Sequence, residues 1–429
     1  MIRRLLRAPA LLAFPLALLA GACTERLDSA AGCPALCPGQ SLEILDTVID
    51  PAIVLDTTLV GYPPVGFESP LLLAARGDTL DVRPIVRFDS LARLWTPAND
   101  TLQPITRVDS VSLIVRLAKT GLPVAATYFI DAYDVGDTTL VDSLPATLAP
   151  LFVAGRLLGS LEVNGATLGD TATVSIPLDT ARLRAIITTP GQVMRFGLRL
   201  RGATGGAFWI TPSDDQTNGP RLRYRVSPDT LVAPFVVRPN SFTPREPSFI
   251  ANDFPDYNFV ATAPDVRAPG RVAVGGLPAA RGYLRFDLPR WLLDSTAVLR
   301  AQLELVQDPI RGLDDTSKVV IRAQLGIAGW AVTDLHRAAR LTAGPAFYVG
   351  DSIVVAPGDS GVRRFEINAL LSTWRLVDGR QPIPSAIILR SEGEGYTPLA
   401  ARFFGLNGPA ALRPRLRVSY VPSIRFGQP

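Results

Sequence analysis

The chain carries one sequence pattern twice, and this repeat limits the folds available to it more than any other feature. Residues 83–91 read RPIVRFDSL and residues 281–289 read RGYLRFDLP, so an Arg-Phe-Asp triplet lies inside an apolar stretch in both. Each copy closes on Pro-Arg-Leu-Arg, at residues 220–223 and 414–417. Self-similarity over this length predicts two homologous domains in tandem.

Within each copy, apolar and polar residues alternate with a period of two, which is typical of half-buried β-strands. In the second triplet, for example, Leu284 and Phe286 share the apolar face. The 35 glycines and 38 prolines suit many short strands and turns better than long helices. We therefore predict an all-β protein with tandem jelly-roll-like β-sandwich domains at residues 45–226 and 246–422, joined by a Pro-rich linker at residues 227–245.

One short segment in each copy departs from this alternation and predicts a helix of at most about three turns. The segment is LDTARLRAII at residues 178–187 in the first copy and INALLSTWRL at residues 367–376 in the second. Neither is long enough to change the all-β prediction.

The N-terminus predicts export and a lipid anchor. Residues 1–22 have a basic start, an apolar run and small residues before Cys23, which is the design of a secretory signal peptide. The segment AGAC resembles a bacterial lipoprotein box, which implies lipidation at Cys23 and a tether over residues 23–44. We expect a lipid-anchored protein of the bacterial cell envelope, on the outer membrane, since Thr24 rather than Asp follows the cysteine. Ordinary secretion with cleavage near Ala22 is the alternative.

Two further cysteines lie in the tether. Cys33 and Cys37 are four residues apart and flanked by prolines. Outside the cytoplasm, such a pair predicts a small disulfide loop. Two free thiols in a flexible tether are the alternative, and two ligands are too few for a zinc site.

The charge balance argues against nucleic-acid binding. The formal net charge is +4, but three of the arginines lie in the segment expected to be cleaved, which leaves the mature chain near neutral. The arginines alternate with apolar residues along strands and form no basic run. Only Lys119 and Lys318 are lysines. A nucleic-acid partner would require a basic patch, and we expect none.

Five motifs follow one another in the second copy. They are a Leu-Arg-Phe strand, an Ala-x-Leu-x-Leu strand, a short segment ending in Trp, a Leu-Arg-Ser strand and a closing Pro-x-Leu-x-Val-x-Tyr strand. The motifs fall on Leu284–Phe286, Ala301–Leu305, Ile367–Trp374, Leu389–Ser391 and Pro414–Tyr420. Their order resembles that of the DNRLRE domain family, also described as disaggregatase-related. The resemblance implies a β-sandwich similar to non-catalytic carbohydrate-binding modules, and it supplies no catalytic residues.

The resemblance covers most of the second copy and is weaker in the first. The first copy lacks the tryptophan, and Ile186 or Ile187 falls near its place. The namesake hexapeptide is absent from the chain. We expect Trp374 to be a core residue rather than a ligand-binding one.

Candidate catalytic and metal-binding residues are sparse. His336 is the single histidine, which excludes a histidine-ligated metal cluster and predicts an ordinary loop residue. Asp214–Asp215 and Asp314–Asp315 lie in polar loops that could ligate Ca²⁺ or form plain turns. We predict no enzymatic activity, no cofactor and no bound metal, with calcium as the alternative; a glycan-cleaving enzyme remains a third hypothesis.

The Arg-Phe-Asp triplets place an arginine and an aspartate on the same strand face. The residues are Arg87 and Asp89 in the first copy and Arg285 and Asp287 in the second. Such groups can bind sugar hydroxyls, or they can form a structural pair within the sheet. Because both copies keep them, we predict a structural strand pair.

Aromatic side chains are the remaining candidates for ligand contact, since a flat ring stacks on a sugar face. The predicted carbohydrate-binding residues are Trp209, Trp330 and Tyr348. Trp209 stands between Phe208 and Ile210, so a strand there would turn its side chain to the opposite face.

These residues suggest a non-catalytic envelope lipoprotein that binds polysaccharide or another surface polymer. The alternative is a structural, assembly or adhesion protein without a glycan ligand. A cleft lined by Trp209 or Trp330 would favour binding, whereas exposed polar strand faces without aromatic clusters would favour the alternative.

Overall fold

The computed structural model describes ten stretches of the chain. They are residues 44–61, 70–97, 101–120, 127–136, 147–202, 205–242, 254–311, 316–327, 349–375 and 384–422. The chain divides into a short unit, Met1–Leu45, and a large unit, Asp46–Pro429, and the described residues belong almost entirely to the large one. The predicted signal peptide, Cys23, Cys33 and Cys37 lie outside the described residues.

The described residues are mainly β-structure, as predicted. The first half contains β1 (Leu45–Ile49), β2 (Ile53–Gly61), β3 (Leu71–Arg76), β4 (Leu80–Phe88), β5 (Leu94–Trp95), β6 (Gln103–Pro104), β7 (Ser110–Lys119), β8 (Thr127–Asp134), β9 (Leu157–Asn164), β10 (Thr171–Pro177), β11 (Met194–Arg201), β12 (Gly206–Ile210), β13 (Arg221–Arg225) and β14 (Phe235–Val237). The second half contains β15 (Asp256–Thr262), β16 (Arg271–Gly275), β17 (Ala279–Phe286), β18 (Thr296–Gln307), β19 (Val319–Leu325), β20 (Val349–Val355), β21 (Gly361–Glu366), β22 (Ala386–Ser391), β23 (Ala400–Phe404) and β24 (Arg415–Pro422).

Helices are short and few among these residues. The α-helices that lie wholly among them are α1 (Thr180–Thr188), α2 (Arg290–Asp294) and α3 (Asn368–Thr373), and single-turn 3-10 helices occur at Ala149–Leu151, Ala154–Arg156 and Ala410–Leu412. Asp179 caps α1 by accepting a 2.9 Å hydrogen bond from the Ala181 amide, which satisfies one of the free N–H groups of the first turn. Both predicted helical segments are confirmed by α1 and α3, whereas α2 was not predicted.

The strands form two large antiparallel sheets of eleven strands each, and β5 and β6 pair separately. The order of the first sheet is β14-β13-β7-β12-β3-β4-β11-β8-β9, with β10 added to β7 and β15 added to β4. The order of the second sheet is β1-β24-β18-β23-β16-β17-β22-β19-β20, with β21 added to β18 and β2 added to β17. Each sheet folds over its own apolar core in a sandwich-like arrangement, which confirms the predicted fold class.

The two sheets have the same topology, position by position. Strands β3, β4, β7 and β13 of the first sheet hold the places of β16, β17, β18 and β24 of the second. The helices α1 and α3 follow the equivalent strands β10 and β21. The sequence repeat therefore corresponds to a repeat of architecture.

Each sheet includes at least one strand from a distant part of the chain. β1 and β2 lie at the N-terminal end of the large unit but pair with β24 and β17 of the second sheet. β15 comes just before β16 in the chain but pairs with β4 of the first sheet, whereas β14 pairs with its near neighbour β13. We call this arrangement the strand exchange. The second sheet is therefore incomplete without β1 and β2, and the first sheet is incomplete without β15.

The sheets therefore divide the chain differently from the predicted ranges. The range 45–226 contains β1 and β2, which belong to the second sheet, and the range 246–422 contains β15, which belongs to the first. The predicted linker, residues 227–245, contains β14, a strand of the first sheet. The physical reason is that an exposed edge of β4 or β17 offers unpaired backbone groups, and a passing segment satisfies them.

The apolar faces of the triplet strands point into the cores. Phe88 belongs to the first core and Phe286 to the second. Trp374 is fully buried, and its ring centroid lies 5.3 Å from that of Phe286, which confirms its predicted role in the core. In the first repeat, Ile186 and Ile187 of α1 are buried in the corresponding core.

Candidate functional site

The strongest candidate site is a cleft where the two repeats meet. Its volume is about 310 Å³, within the lower range of small-molecule pockets. We call it the junction cleft. The first repeat contributes Leu72, Thr120 and Trp209, and the second contributes residues 317–320, 391–393 and 396–399.

Trp209 reaches the cleft because of the alternation along β12. Phe208 and Ile210 are fully buried in the first core, so Trp209 between them points to the opposite face. The strand lies between β3 and β7, where Trp209 faces Leu72 and Ala118 in the register. Trp209 thus has the orientation that the alternation predicts, and the surrounding strands hold it firmly.

A loop of the second repeat faces this tryptophan. The indole Nε1 of Trp209 donates a 3.2 Å hydrogen bond to the carbonyl oxygen of Tyr396. The two rings meet edge to face, with centroids 6.3 Å apart and an interplanar angle of 76°. Burial raises the pKa of the Tyr396 hydroxyl, and the nearby Glu392 raises it further, so this hydroxyl is neutral at ordinary pH.

A buried ion pair anchors the loop from behind. The carboxylate of Glu394, 1% exposed, accepts hydrogen bonds from Arg281 of β17, with 2.8 Å between Nη2 of Arg281 and Oε1 of Glu394. Nε of Arg390 lies 3.2 Å from the other carboxylate oxygen. A buried carboxylate held by two guanidinium groups fixes its loop, because any displacement would leave charge unpaired in a low-dielectric region.

The exchanged strand β15 links the loop to the first repeat. The side-chain oxygen of Asn258 accepts a 2.8 Å hydrogen bond from the Leu72 amide, and its Nδ2 donates a 2.8 Å bond to the Gly395 carbonyl. One amide thus joins β3 to the loop of the second repeat. The junction cleft consequently depends on the strand exchange, because β15 supplies the residue that connects its two walls.

The polar groups of the cleft are mainly hydroxyls, with two charged side chains. Lys318 and Glu392 lie on the wall formed by the second repeat, and Glu392 is ion-paired with Arg322. Aromatic rings together with hydroxyl donors and acceptors are the groups that bind saccharides, by stacking on apolar sugar faces and by hydrogen bonding. The hydroxyl-bearing lining residues are Thr120, Ser317, Ser391, Tyr396 and Thr397.

Comparison with known proteins does not assign this chain to a family. No family model matches the chain, and no curated protein matches it. The structure of infectious bursal disease virus Gx strain is 13% identical, with a TM-score of 0.12, covering 91% of this chain and 80% of that one. The T=1 particles derived from the same virus give 12% identity and a TM-score of 0.12, covering 91% and 78%. TM-scores of this size carry no argument about fold or function, and the resemblance to the DNRLRE family stays a prediction.

Several predicted site residues fall outside the described residues. Trp330, Tyr348, His336 and the Asp314–Asp315 pair are among them, so their predicted roles stay predictions. Of the three aromatic candidates, the structure therefore describes Trp209 alone. It places that residue in the junction cleft.

The Asp214–Asp215 loop is described, and it forms a turn. The carboxylate of Asp215 accepts hydrogen bonds of 2.8 and 2.9 Å from the amides of Thr217 and Asn218. These bonds lower the pKa of Asp215. In the part of the chain that the structure describes, no three acidic, histidine or cysteine side chains come together as a metal site would require.

The aspartate of the first triplet has a partner on the neighbouring strand. Asp89 accepts two hydrogen bonds from Arg195 of β11, at 2.8 and 2.7 Å, and both side chains are buried. The Phe242 amide donates a third, at 3.0 Å. Arg87 lies beside Arg195 in the register and stacks over Phe254, 4.5 Å from the ring centroid. This cluster is structural and lies apart from the junction cleft.

The second triplet does not reproduce that cluster. Asp287 is exposed, whereas Asp89 is buried. The residue that faces Arg285 on β22 is Ala386, where the first repeat has Arg195 facing Arg87. Retention of the triplet in both copies therefore reflects the shared strand rather than a shared ion pair.

Tyr396 and the loop that carries it were not among the predicted site residues. This loop, SEGEGYTP, follows the Leu-Arg-Ser strand and differs from the first repeat, where RGATGGAF stands. This divergence between the two copies was the sequence signal that could have indicated the loop as a binding-site segment. What could not be read from it is that the loop meets Trp209, which lies almost two hundred residues earlier.

Proposed function

We propose that the protein binds polysaccharide in the junction cleft without cleaving it. The observation that carries the proposal is the fixed Trp209–Tyr396 pair in a cleft with five hydroxyl-bearing side chains. The Glu394 ion pairs and the Asn258 hydrogen bonds hold the two rings in place before any ligand binds. This preorganisation lowers the entropic cost of binding. The resemblance of the second repeat to carbohydrate-binding modules points to the same class of ligand.

One observation favours the alternative of a structural or assembly protein. The outer face of β18, β21 and β24 carries a ladder of ion pairs, and the shallow depression there, about 310 Å³, has no aromatic residue among the described ones that line it. Such polar strand faces suit spacing or docking between proteins. The ladder consists of Arg300–Glu366, Arg364–Glu304 and Arg417–Asp46, at 3.3, 2.9 and 2.8 Å.

Replacing Trp209 with Ala is expected to weaken polysaccharide binding by about tenfold to a hundredfold, since stacking of one aromatic ring contributes about 1–3 kcal/mol. The measurement is affinity electrophoresis or calorimetry of the full chain with a panel of acidic and neutral polysaccharides. A melting curve of the variant confirms that the fold is retained.

Trp291→Ala is the matched control for this experiment. Trp291 is 38% exposed and packs on Tyr420, with ring centroids 4.9 Å apart, outside the junction cleft. We expect this variant to bind as the native chain does. If no polysaccharide binds the native chain, or if both variants lose binding equally, the proposed site is wrong and the assembly hypothesis takes its place.

We further propose that Cys23 carries a lipid that anchors the protein in the envelope. The support is the sequence of residues 1–23 alone. Among the described residues, no helix has the length and apolar character needed to cross a bilayer.

Cys23→Ala is expected to move the protein from the membrane fraction to the soluble fraction of cells that express the full chain. The reason is that covalent acyl chains supply the membrane affinity that the anchor needs. Cys33→Ala is the control, and it should stay with the membrane. Membrane retention of the Cys23→Ala variant would contradict lipidation.

A further inference from the structure

The outer face of the first sheet carries a row of arginines. Arg221, Arg223 and Arg225 alternate along β13 with Leu222 and Tyr224, which are buried in the first core. Because alternate residues of a strand share a face, the three arginines lie on the outer face in a row about 13 Å long. The same alternation that hides them from a search for basic runs in the sequence brings them together in the fold.

The neighbouring strands add hydroxyls and a fourth arginine to this surface. Ser112 and Ile114 of β7 face Arg223 and Arg221 in the register, and Arg116 follows on the same side of β7. The exposed positions of β10 are threonines, a serine and a proline. We call the outer surface of β7, β10, β13 and β14 the arginine face. No outward position of these four strands is a carboxylate.

The ladder of the second repeat occupies the equivalent surface, and there carboxylates neutralise the arginines. The register and the matching order of the strands identify the residue that stands in place of each carboxylate in the first repeat. The replacements are Ile114 for Glu304, Pro177 for Glu366 and Val236 for Asp46. The three carboxylates of the ladder thus have uncharged counterparts on the arginine face.

The hydrogen bonds of these arginines leave their charge uncompensated. Nη1 of Arg225 donates a 3.0 Å bond to the Val232 carbonyl, and Nη2 of Arg221 donates to the Thr217 carbonyl. Arg223 is exposed. None of the arginines on this face forms a salt bridge with a residue that the structure describes. A carbonyl oxygen satisfies a donor but supplies no countercharge.

The flanking turns do not cancel this charge. They carry Asp214, Asp215 and Asp229, and also a further arginine, Arg238. Asp215 and Asp229 accept hydrogen bonds from backbone amides of their own turns. Five arginines against three carboxylates leave the face and its flanking turns positive.

Two exposed apolar side chains stand beside the row. Val236 of β14 faces Arg223 in the register and is 53% exposed. Leu231 is 92% exposed, the highest value among the large apolar side chains that the structure describes. Its turn is held in shape, because the Leu231 amide donates a 2.9 Å bond to Asp229 and Arg225 bonds to the next carbonyl.

We infer that the arginine face docks on a membrane surface rich in anionic lipid headgroups. Guanidinium groups attract the phosphates of such a surface, and neighbouring apolar side chains enter the boundary between headgroups and acyl chains. Nucleic acid fits this surface less well, because the outward positions of the four strands include no aromatic side chain on which a base could stack. The inference depends neither on the junction cleft nor on the lipid at Cys23.

The test measures co-sedimentation with vesicles of the predicted mature chain from Thr24 onward, without Cys23. This chain contains every described strand, and a melting curve checks its fold. Vesicles of phosphatidylcholine alone are compared with vesicles of phosphatidylcholine and phosphatidylglycerol in equal amounts. At low salt, we expect about tenfold or more tighter binding to the anionic vesicles. This preference should shrink at high salt, because exposed charges are screened.

Replacing the three arginines of β13 with Gln should weaken binding to anionic vesicles by about a hundredfold, since each basic residue near such a surface contributes a factor of about five. Replacing the same three with Lys keeps the charge and should keep the binding, which separates charge from a structural role. The matched control removes three arginines from the ladder and should bind as the native chain does. Its changes are Arg300→Gln, Arg364→Gln and Arg417→Gln.

Leu231→Asp tests the apolar contribution and should weaken binding to anionic vesicles by about tenfold or more, because burial of a leucine side chain is lost. Leu299→Asp is its control. Leu299 lies on β18 and is 51% exposed, so it accepts the same change on the surface of the other repeat. This control should leave vesicle binding unchanged.

Equal binding to neutral and anionic vesicles, or binding to neither, would overturn the inference. Equal losses in the β13 and ladder variants would also overturn it, since only net charge would then matter. Polygalacturonate, a soluble polyanion, serves as the competing ligand. If it binds through the β13 arginines while vesicles do not, the partner is a polysaccharide and the membrane assignment is wrong. Trp209→Ala should bind vesicles as the native chain does, so failure of the junction cleft and failure of the arginine face are distinguishable.

Discussion

Replacing Asp89 with Asn should destabilise the protein by about 3–5 kcal/mol, because it leaves the guanidinium of Arg195 buried without a countercharge. Both side chains of this pair are almost fully buried, and two short hydrogen bonds join them. The measurement is the free energy of unfolding from denaturant titration.

The destabilisation caused by Asp89→Asn should depend on pH through the pKa of Asp89. Burial would raise that pKa, but the hydrogen bonds from Arg195 and the Phe242 amide, with the charges of Arg195 and Arg87, outweigh it and lower the pKa below 3.8. A carboxyl with a lowered folded-state pKa contributes stability above its unfolded pKa and loses it as pH falls through the folded pKa. The difference in unfolding free energy between the native protein and the Asp89→Asn variant should therefore be full near neutral pH. It should begin to narrow as the pH falls below about 3.8 and close only below the folded-state pKa of Asp89.

The second repeat provides the control. Asp287 occupies the equivalent position but is exposed, so Asp287→Asn should change stability by no more than about 0.5 kcal/mol. Equal destabilisation by the two variants would contradict the stabilising role of the Asp89–Arg195 pair.

Leu59→Asp should destabilise the second sheet by about 3 kcal/mol or more, although Leu59 lies on β2, ahead of every described strand of the first sheet in the chain. Leu59 is 4% exposed and packs with Ala279, Tyr283 and Ile388 of the second repeat. A carboxylate placed there would be desolvated without a partner.

Hydrogen exchange can locate this effect. We expect the amides of β17 and β24 to lose protection in the Leu59→Asp variant, while those of β4 and β13 keep it. Val54→Asp is the matched control on the same strand, since Val54 is 41% exposed and should tolerate a charge. Loss of protection in β4 rather than β17 would contradict the strand exchange.

Much of the fold could be predicted from the sequence, because its signals are local or repeated. The alternation of apolar and polar residues predicts the strands β4, β7, β17 and β18. The sequence repeat predicts two equivalent sheets. The inward orientation of Phe88 followed from the same alternation. These features depend on residues close together in the chain, or on comparison of one copy with the other.

The partnership of distant segments could not be predicted in the same way. Nothing in the sequence of β2 indicates that it pairs with β17 rather than with the strand that follows it. The same limit applies to Asp89, whose partner Arg195 has its counterpart in Ala386 of the second repeat. Trp209 could be proposed as a site residue from its position on β12. Its contact with Tyr396 could not be predicted, because that contact forms only where the two repeats pack together.

The strand exchange also has a consequence for how the protein is made. β2 leaves the ribosome more than two hundred residues before β17, the strand on which it pairs. At about 5–20 residues per second, the N-terminal strands wait at least about ten seconds for their partner to be synthesised. During that interval they present unsatisfied strand edges, and the second sheet can close only after most of the chain has emerged. Biosynthesis of this protein should therefore benefit from a chaperone that holds extended chain until translation is nearly complete.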